Sequence, residues 1–172
     1  MGHINLVDRD AGLERLKELV DEMHIAMLTT VVHGGWMRSR PMGIRNLSFD
    51  GNLWFFTKLS SPKVLEIELN PQVQVSMVNT KDNHYLSLAG TASISLDRQK
   101  MEELWNKGLE TWFPDGLDDP DLALLKIDIE HAHYWDEDTG FLDLAAGFIK
   151  SQVTGKKAEM SYGTKVNFGH GI

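Results

Sequence analysis

The stretch from Arg38 to Lys63 reads RSRPMGIRNLSFDGNLWFFTKLSSPK and gathers cationic, hydroxyl and aromatic side chains. Arg38 and Arg40 lie two residues apart on a predicted strand, so both project from one face and double the positive charge there. Pro41 cannot donate to a sheet ladder and belongs at an edge or a bulge, which leaves the backbone just after the arginines free to face something other than a neighbouring strand. Taken alone, two arginines on one strand are more often a solvated sheet face.

The end of the same stretch predicts a helix start that attracts anions. Ser61 is placed as the N-cap and Pro62 at the first helical position, where its missing N–H group costs nothing. The unpaired N–H groups and the helix dipole favour an anion, and Lys63 adds a full positive charge. An arginine pair beside such a helix start forms a reasonable phosphate site, although a Ser-Pro helix start by itself is usually only a cap.

Aromatic residues lie directly before this helix start. Alternation sends Trp54 and Phe56 to one face of their strand, and Phe55 and Thr57 to the other. Aromatic residues on a strand are most often core residues. Here, however, their order places an apolar wall and a hydroxyl beside the cationic cluster, as a flat ring with a phosphate tail requires.

The flanking sequence predicts strands joined mostly by tight turns, with helices at three points. The predicted helices span 8–24, 62–70 and 98–107, and a further segment, 141–150, has helical character. The predicted strands span 25–32, 36–44, 46–49, 53–57, 72–79, 85–96 and 125–135. These elements predict a mainly β fold with flanking helices, in the form of a small antiparallel barrel.

Two details of the last strands matter for the site. Gly90 is placed to allow a bend or bulge in its long strand. In the final strand, an apolar face that begins at Leu125 is predicted to continue into His131, His133 and Trp135. The two histidines have no third ligand at a suitable spacing, so no metal site is predicted.

The overall composition excludes several classes of function. A net charge of −8 and a pI near 5.3 argue against a nucleic-acid partner, which needs a basic surface. The chain has no cysteine, so disulfides, thiolate metal sites and thiol nucleophiles are absent. No apolar run approaches the roughly 18 residues of a membrane span, and the N-terminus does not read as a signal peptide. The sequence thus predicts a cytoplasmic protein.

One order of motifs resembles a known family. The chain carries Arg40, then Phe56-Thr57, then Ser61-Pro62-Lys63, then Asn70-Pro71. This order and spacing resemble the FMN-binding split barrel of the pyridoxamine 5′-phosphate oxidase superfamily, especially its general stress protein branch. The resemblance is strongest from about 33 to 94. It implies an FMN-binding split-barrel domain over 1–153, a polar C-terminal tail over 154–172, and a homodimer with the flavin at the subunit interface.

The resemblance also implies which residues contact FMN. The phosphate would be held by Arg40, Ser61 and Lys63, and we include Arg38 because it shares a strand face with Arg40. The ring would be bordered by Pro41 and Met42 through their backbone, and by Phe56 and Thr57. Tyr85 stands where relatives carry a polar flavin contact, and Trp135 would close the ring pocket, from the partner subunit in one arrangement.

Two departures from the family pattern limit the expected activity. Oxidases that act on pyridoxamine phosphate carry arginine and histidine after the late tryptophan, whereas Asp136, Glu137 and Asp138 follow Trp135 here. Three carboxylates beside the pocket would repel a phosphorylated substrate, which argues against that activity. Pro62 also replaces an arginine of the usual motif and removes one phosphate ligand.

Three functions stay open on the sequence. The first is a flavin-dependent oxidoreductase in which FMN passes electrons between a reduced nicotinamide and an unidentified acceptor. The second is a non-catalytic module that sequesters flavin or senses stress. The third is a barrel that has lost flavin or takes a deazaflavin or haem instead.

Overall fold

The computed structural model describes residues 5–48, 50–136 and 163–168. Within these ranges the helices are α1 (Arg9–Glu22), α2 (Pro62–Leu69) and α3 (Arg98–Leu104). The strands are β1 (Asn5–Val7), β2 (Ile25–Val31), β3 (Met37–Leu47), β4 (Asn52–Lys58), β5 (Gln72–Asn79), β6 (His84–Ser95), β7 (Leu122–Trp135) and β8 (Thr164–Asn167). Short 3-10 helices at Lys107–Thr111 and Gly116–Asp118 lie between α3 and β7.

Strands β2 to β7 close into an antiparallel barrel in the order β2, β3, β4, β7, β6, β5. Strand β7 closes the barrel because its first half pairs with β4 while nearly its whole length pairs with β6. The second half of β7 also pairs with β8, and β8 pairs in parallel with β1. The predicted mainly β split barrel with flanking helices is therefore confirmed.

Helix α1 covers the barrel with the apolar stripe that the sequence predicts. Asp8 caps the helix, since its side chain accepts a hydrogen bond from the backbone N–H of Ala11 at 3.0 Å. The apolar side chains of α1 join the barrel core, whose fully buried members include Leu16, Leu19, Leu28, Leu47, Leu53, Phe55, Met77 and Leu88. The helix thus supplies one layer of the barrel's hydrophobic core.

The region from 36 to 49 contains one strand, whereas the sequence predicts two. Strand β3 runs from Met37 to Leu47, and its pairing with β4 shifts register between Ile44 and Asn46. Such a bulge interrupts the alternation of inward and outward side chains along the strand. A prediction based on that alternation therefore divides the one strand into two segments at this point. The predicted turn at 50–52 joins β3 to β4, with Gly51 at a φ of 89°.

A second bulge lies between β6 and β7. Ala89 pairs with His131 whereas Gly90 pairs with Ile129, so Glu130 is the extra residue on β7. A Cβ atom on Gly90 would lie 2.0 Å from the backbone oxygen of Asp128. The bulge predicted at Gly90 is confirmed, and the glycine is needed because the two backbones approach so closely there.

This bulge corrects the prediction for the end of β7. An extra residue moves every later side chain to the opposite face of the strand. The buried residues are Leu125, Ile127 and Ile129 before the bulge, and Ala132 and Tyr134 after it. His131, His133 and Trp135 therefore do not continue the apolar face; they lie on the outward face of the barrel.

Helix α3 is shorter than predicted. The predicted N-cap is confirmed, because the side chain of Asp97 accepts a hydrogen bond from the backbone N–H of Lys100 at 3.0 Å. The helix ends at Leu104 rather than at residue 107, and Trp105 adopts an extended backbone. This turn carries the Trp105 ring onto Phe56, at 5.5 Å between ring centroids. Tertiary packing of the indole thus stops the helix early.

The predicted polar tail contains a strand. Residues Thr164–Asn167 form β8, which pairs with both β1 and β7. Val166 is buried in the barrel core, so this part of the predicted tail belongs to the fold. The helical segment predicted at 141–150 lies outside the described residues. Among the described helices, none has the length and apolar content needed to cross a bilayer.

Candidate functional site

An open pocket of about 330 Å³ lies between β3 and the start of α2. Its lining residues are Arg38, Arg40, Pro41, Met42, Ser61, Pro62 and Lys63. All of these except Pro62 are predicted cofactor-binding residues, so the fold brings the arginine strand and the helix start together. The other predicted residues, which do not line this pocket, are Phe56, Thr57, Tyr85 and Trp135.

Strand β3 presents both arginines on one face, as alternation predicts. Arg38 pairs with Thr30 of β2, and Arg40 pairs with Leu28. Both partners are fully buried on the inward side of β2. The arginine side chains start from the same side of the sheet and reach α2, where both contact Glu66.

The backbone around Pro41 has a strand neighbour on one side only. Pro41 pairs with Met27 of β2, whereas the described pairing of β3 with β4 begins at Ile44. The prediction that the proline marks a free strand edge is therefore confirmed. The Met42 side chain belongs to the barrel core, which fits a ligand contact made through its backbone.

Glu66 ties the two arginines together, and the sequence analysis missed it. Its Oε1 atom accepts from Nη1 of Arg38 at 2.7 Å, and its Oε2 atom accepts from Nη2 of Arg40 at 2.6 Å. The Thr30 hydroxyl donates to the same Oε2 at 2.6 Å and accepts from Nη1 of Arg40 at 2.7 Å. The only sequence signal for Glu66 is its position three residues after Lys63, which puts the two side chains on one side of α2.

The carboxyl of Glu66 is ionised in this setting. Burial alone would raise its pKa, but the hydrogen bond from Thr30 and the charges of Arg40 and Arg38 outweigh it and lower the pKa below its ordinary value. The side chain is 8% exposed, so the negative charge is held inside the site rather than in water. Glu66 thus acts as a fixed counter-ion of the arginine pair.

Lys63 is held at the mouth of the same pocket. Its Nζ atom donates to the Ser61 hydroxyl at 2.6 Å and to the Thr57 hydroxyl at 3.2 Å. Ser61 is the N-cap by position, but its side chain makes no capping hydrogen bond. Burial and the nearby charge of Arg40 lower the pKa of Lys63, and the charge of Glu66 offsets part of this effect. The ammonium group of Lys63 is therefore partly desolvated, and an anion bound beside it would favour its charged form.

The pocket is locally cationic in an acidic protein. Arg38, Arg40 and Lys63 line it, and one carboxylate, Glu66, opposes them. These charges leave two positive charges, although the whole chain carries −8. A phosphate monoester carries about −1.5 to −2 at neutral pH, so the residual charge matches one such group.

Phe56 and Phe55 lie in two different hydrophobic cores. Phe55 is fully buried in the barrel. Phe56 packs on the outside of the barrel in a second cluster, 5.5 Å from Trp105 and 6.1 Å from Phe113 between ring centroids. The Phe56 ring therefore supports the α3 region, and a contact of this residue with a ligand stays a prediction. Trp112 is exposed beside this cluster.

Tyr85 and Trp135 are neighbours on the outward face of the barrel. They pair directly across β6 and β7, and Leu86 beside Tyr85 points into the core. Strand β6 is three strands from β3, roughly 14 Å at the usual strand spacing. In one chain these residues are thus separated from Arg40, which starts from the inward side. Their place in the cofactor site stays a prediction.

The acidic turn after β7 begins with a paired carboxylate. Asp136 is buried and accepts hydrogen bonds from Nε and Nη2 of Arg15 on α1, at 3.1 and 2.9 Å. The charge of Asp136 is therefore paired with that of Arg15. Glu137 and Asp138 lie outside the described residues. The repulsion of a phosphorylated substrate by this turn stays a prediction.

Hydrogen bonds and an ion pair join the β4–α2 connection to the residues just before β7. This group of contacts, here called the clasp, positions Ser61 and Lys63. The side chain of Asp121 accepts from the backbone N–H and the hydroxyl of Ser60, at 2.8 and 2.5 Å. Lys58 reaches Asp119 at 3.2 Å in the same clasp. The contacts join residues more than sixty positions apart, which is why no local pattern indicates them.

Replacing Asp121 with asparagine is expected to loosen this clasp. The hydrogen bonds from Ser60 lower the pKa of Asp121, so its stabilising effect is present above the ordinary carboxyl pKa and is lost as pH falls through the lowered one. The melting temperature of Asp121→Asn should therefore fall below that of the wild type at pH 7, and the gap should close in strong acid. The matched control is Asp115→Asn, a substitution at an exposed aspartate in the same connection between α3 and β7. Equal melting curves for both variants at pH 7 would contradict the clasp.

No metal centre is found in the described part of the chain. Among those residues, no group of three histidine, cysteine or acidic side chains is placed so that it could hold an ion. His131 and His133 share the outward face of β7, as discussed above, without a third ligand among them.

Comparison with known proteins agrees with this geometry. The family model described as pyridoxamine 5′-phosphate oxidase like matches residues 11–159. General stress protein 26 of Bacillus subtilis is 30% identical over 122 residues, which cover 68% of this chain and 83% of that protein. The crystal structure of a putative general stress protein 26 from Jannaschia sp. covers 92% of this chain and 99% of its own, with a TM-score of 0.67 and 24% identity.

A further structure bears on the ligand. The general stress FMN/FAD binding protein of Xanthomonas citri is 25% identical, with a TM-score of 0.61, over 74% of this chain and 87% of its own. The fold, the cationic pocket and the family match together define a split-barrel protein with a cationic pocket between β3 and α2. The chain belongs to the pyridoxamine 5′-phosphate oxidase-like family.

Proposed function

We propose that this protein binds FMN in the pocket between β3 and α2 and that it works as a flavin-dependent oxidoreductase. The observation that carries the proposal is the convergence of Arg38, Arg40 and Lys63 on one open pocket with two residual positive charges. A flavin mononucleotide ends in one phosphate monoester, whose charge this cluster matches. The similar general stress FMN/FAD binding protein of Xanthomonas citri points to the same ligand class.

The residues present fit an FMN phosphate at one end of the pocket. Lys63 and Ser61 supply an ammonium and a hydroxyl at the start of α2, and the arginine strand supplies guanidinium groups opposite. The backbone at Pro41, with its free strand edge, would border the ring. Bound flavin supplies the electron transfer, so the protein needs no acid or base of its own and contributes orientation, charge and access.

Two other functions are kept as outcomes of the same tests. A non-catalytic module would bind FMN tightly but would not let any reduced nicotinamide reduce it. A barrel that takes a deazaflavin or haem would retain neither FMN nor its spectrum. The substrate and the electron donor are not given by the site, because a fold and a cofactor site do not define a reaction.

The first test is a visible absorption spectrum of the purified protein, taken before and after incubation with FMN and removal of the excess. We expect a retained spectrum of oxidised flavin, and tighter binding of FMN than of riboflavin, which lacks the phosphate. Bleaching of the bound flavin by NADH or NADPH without oxygen would favour the oxidoreductase over the sequestering module. A protein that retains no FMN would contradict the proposal.

A homodimer is proposed as the working form. Large apolar side chains are exposed on the outward face of β2 and β5, with Ile25 at 64%, Met27 at 41% and Val78 at 55%. An exposed apolar patch of this kind commonly marks an interface. Tyr85 pairs with Val78 on the same face, so a second copy seated there would bring Tyr85 and Trp135 toward the pocket of its partner. A cytoplasmic location stays a prediction from the sequence.

Replacing Val78 with lysine is expected to break this dimer. The change puts a charge on the apolar face, where an interface would have to bury it without a partner. Size-exclusion chromatography with light scattering should show the wild type as a dimer and Val78→Lys as a monomer with weaker FMN binding. Leu96→Lys is the matched control, since Leu96 is 63% exposed just beyond β6 and should leave the dimer intact. A dimeric Val78→Lys variant would rule out this face.

A further inference from the structure

The site contains one feature that a phosphate pocket should not need, the buried carboxylate of Glu66. A carboxylate beside an anion site repels the anion, and this one is only 8% exposed. It nevertheless lies at the centre of the cluster, with Arg38, Arg40 and Thr30 all bonded to it. Glu66 must therefore make a favourable contribution to the site that outweighs its repulsion of the anion.

We propose that Glu66 is a positioning residue for the phosphate of the ligand: it fixes the two guanidinium groups and trims their charge to that of one phosphate monoester. The inference rests on the proposed function, because it concerns the phosphate end of the same flavin site. It goes further in assigning the selectivity of the pocket for a phosphorylated flavin to a residue that does not touch the ligand.

Arg40 is fixed at both ends of its guanidinium group. Its Nη1 atom donates to the Thr30 hydroxyl at 2.7 Å and its Nη2 atom donates to Oε2 of Glu66 at 2.6 Å. Thr30 in turn donates to that same oxygen at 2.6 Å, which closes a three-membered network. With its side chain 17% exposed, Arg40 has little room to adopt another rotamer. It therefore serves as the inner wall of the cluster.

Arg38 is fixed at one nitrogen and open at the others. Among the described residues its Nη1 atom donates to Oε1 of Glu66 at 2.7 Å, while its side chain is 55% exposed toward the pocket. A guanidinium group has five N–H donors in a rigid fork, so anchoring one nitrogen orients the remaining donors. Glu66 thus aims Arg38 at the ligand.

Loss of Glu66 would have two opposite effects. The net charge of the cluster would rise by one, which attracts any anion, but this attraction is not directional and is screened by salt. The two guanidinium groups would also lose their common anchor and repel each other, and a phosphate contact requires oriented donors. We expect the loss of orientation to dominate at physiological ionic strength.

The test compares FMN with riboflavin, which differ only in the phosphate. Flavin fluorescence titrations of wild type and Glu66→Gln at physiological salt should show FMN binding weakened about tenfold, with riboflavin binding unchanged within about twofold. Glu66→Asp, which keeps the charge, should recover part of the FMN affinity. The matched control is Glu68→Gln, an exposed glutamate two residues along the same helix, which should bind both flavins like the wild type.

Each other outcome has a definite meaning. Unchanged or tighter FMN binding by Glu66→Gln would overturn the positioning role, and an equal loss of FMN and riboflavin would reassign Glu66 to folding alone. Circular dichroism of each variant separates misfolding from lost binding, and Glu66→Asp carries the test if Glu66→Gln does not fold. A wild type that binds neither flavin, or both equally, would overturn the proposed function itself and the role of Glu66 with it.

Discussion

Gly90→Ala is expected to destabilise the barrel by about 3 kcal/mol, the upper range for overpacking a closed site. A Cβ atom there would lie 2.0 Å from the backbone oxygen of Asp128, 2.9 Å from its carbonyl carbon and 3.1 Å from Cα of Ile129. All of these atoms are backbone, so no side chain can move aside. The variant must separate β6 from β7 at the bulge, which weakens the pairing that closes the barrel.

Thermal unfolding is the measurement, and a loss of this size should lower the melting temperature by about 6 to 12 °C in a chain of this length. Gly108→Ala is the matched control, because the nearest atom to its new Cβ would be the side-chain tip of Asn106, at 3.0 Å, which can move. If Gly90→Ala melts within a degree or two of the wild type, the close approach of the two backbones at the bulge is wrong.

The bulges also explain what the sequence pattern can and cannot predict. The barrel, the helix starts and the cationic residues of the pocket follow from local signals: alternation, capping residues and turn residues, each read within a few positions. Gly90 marks the bulge on β6, but the extra residue lies on β7 and is an ordinary one, Glu130, which no local signal identifies. This one residue moves His131, His133 and Trp135 from the apolar face to the outward face.

The supporting residues of the site escaped prediction for a related reason. Arg38, Arg40, Ser61 and Lys63 were identifiable because each carries its charge or hydroxyl within one continuous stretch. Glu66 shows its role only once α2 is docked on the barrel, because two similar glutamates, Glu66 and Glu68, stand in that helix and packing decides which is buried. Asp121 acts across a contact of sixty-one positions, which no local pattern encodes.

Lys63→Met is expected to abolish most of the phosphate affinity without weakening the fold. A hydrogen bond to a charged group contributes about 1.5 to 3 kcal/mol, so FMN affinity should fall about ten- to a hundredfold, while riboflavin affinity stays the same. Fluorescence titration measures both. Lys81→Met is the matched control: this exposed lysine lies in the turn between β5 and β6, does not line the pocket and should leave FMN affinity unchanged.

The stability of the same variant gives an independent check on the role of Lys63. Burial, and then the charge of Arg40, lower the pKa of Lys63 in the folded chain, so the unfolded chain holds this proton more tightly. The charged lysine therefore costs stability at neutral pH, and the cost disappears as pH rises through the lowered pKa toward 10.5. At pH 7 the ligand-free Lys63→Met variant should melt at or above the wild-type temperature. A lysine that opposes folding but is needed to bind the FMN phosphate is retained for binding rather than for stability. If the Lys63→Met variant instead unfolds more easily and still binds FMN, Lys63 is a structural residue.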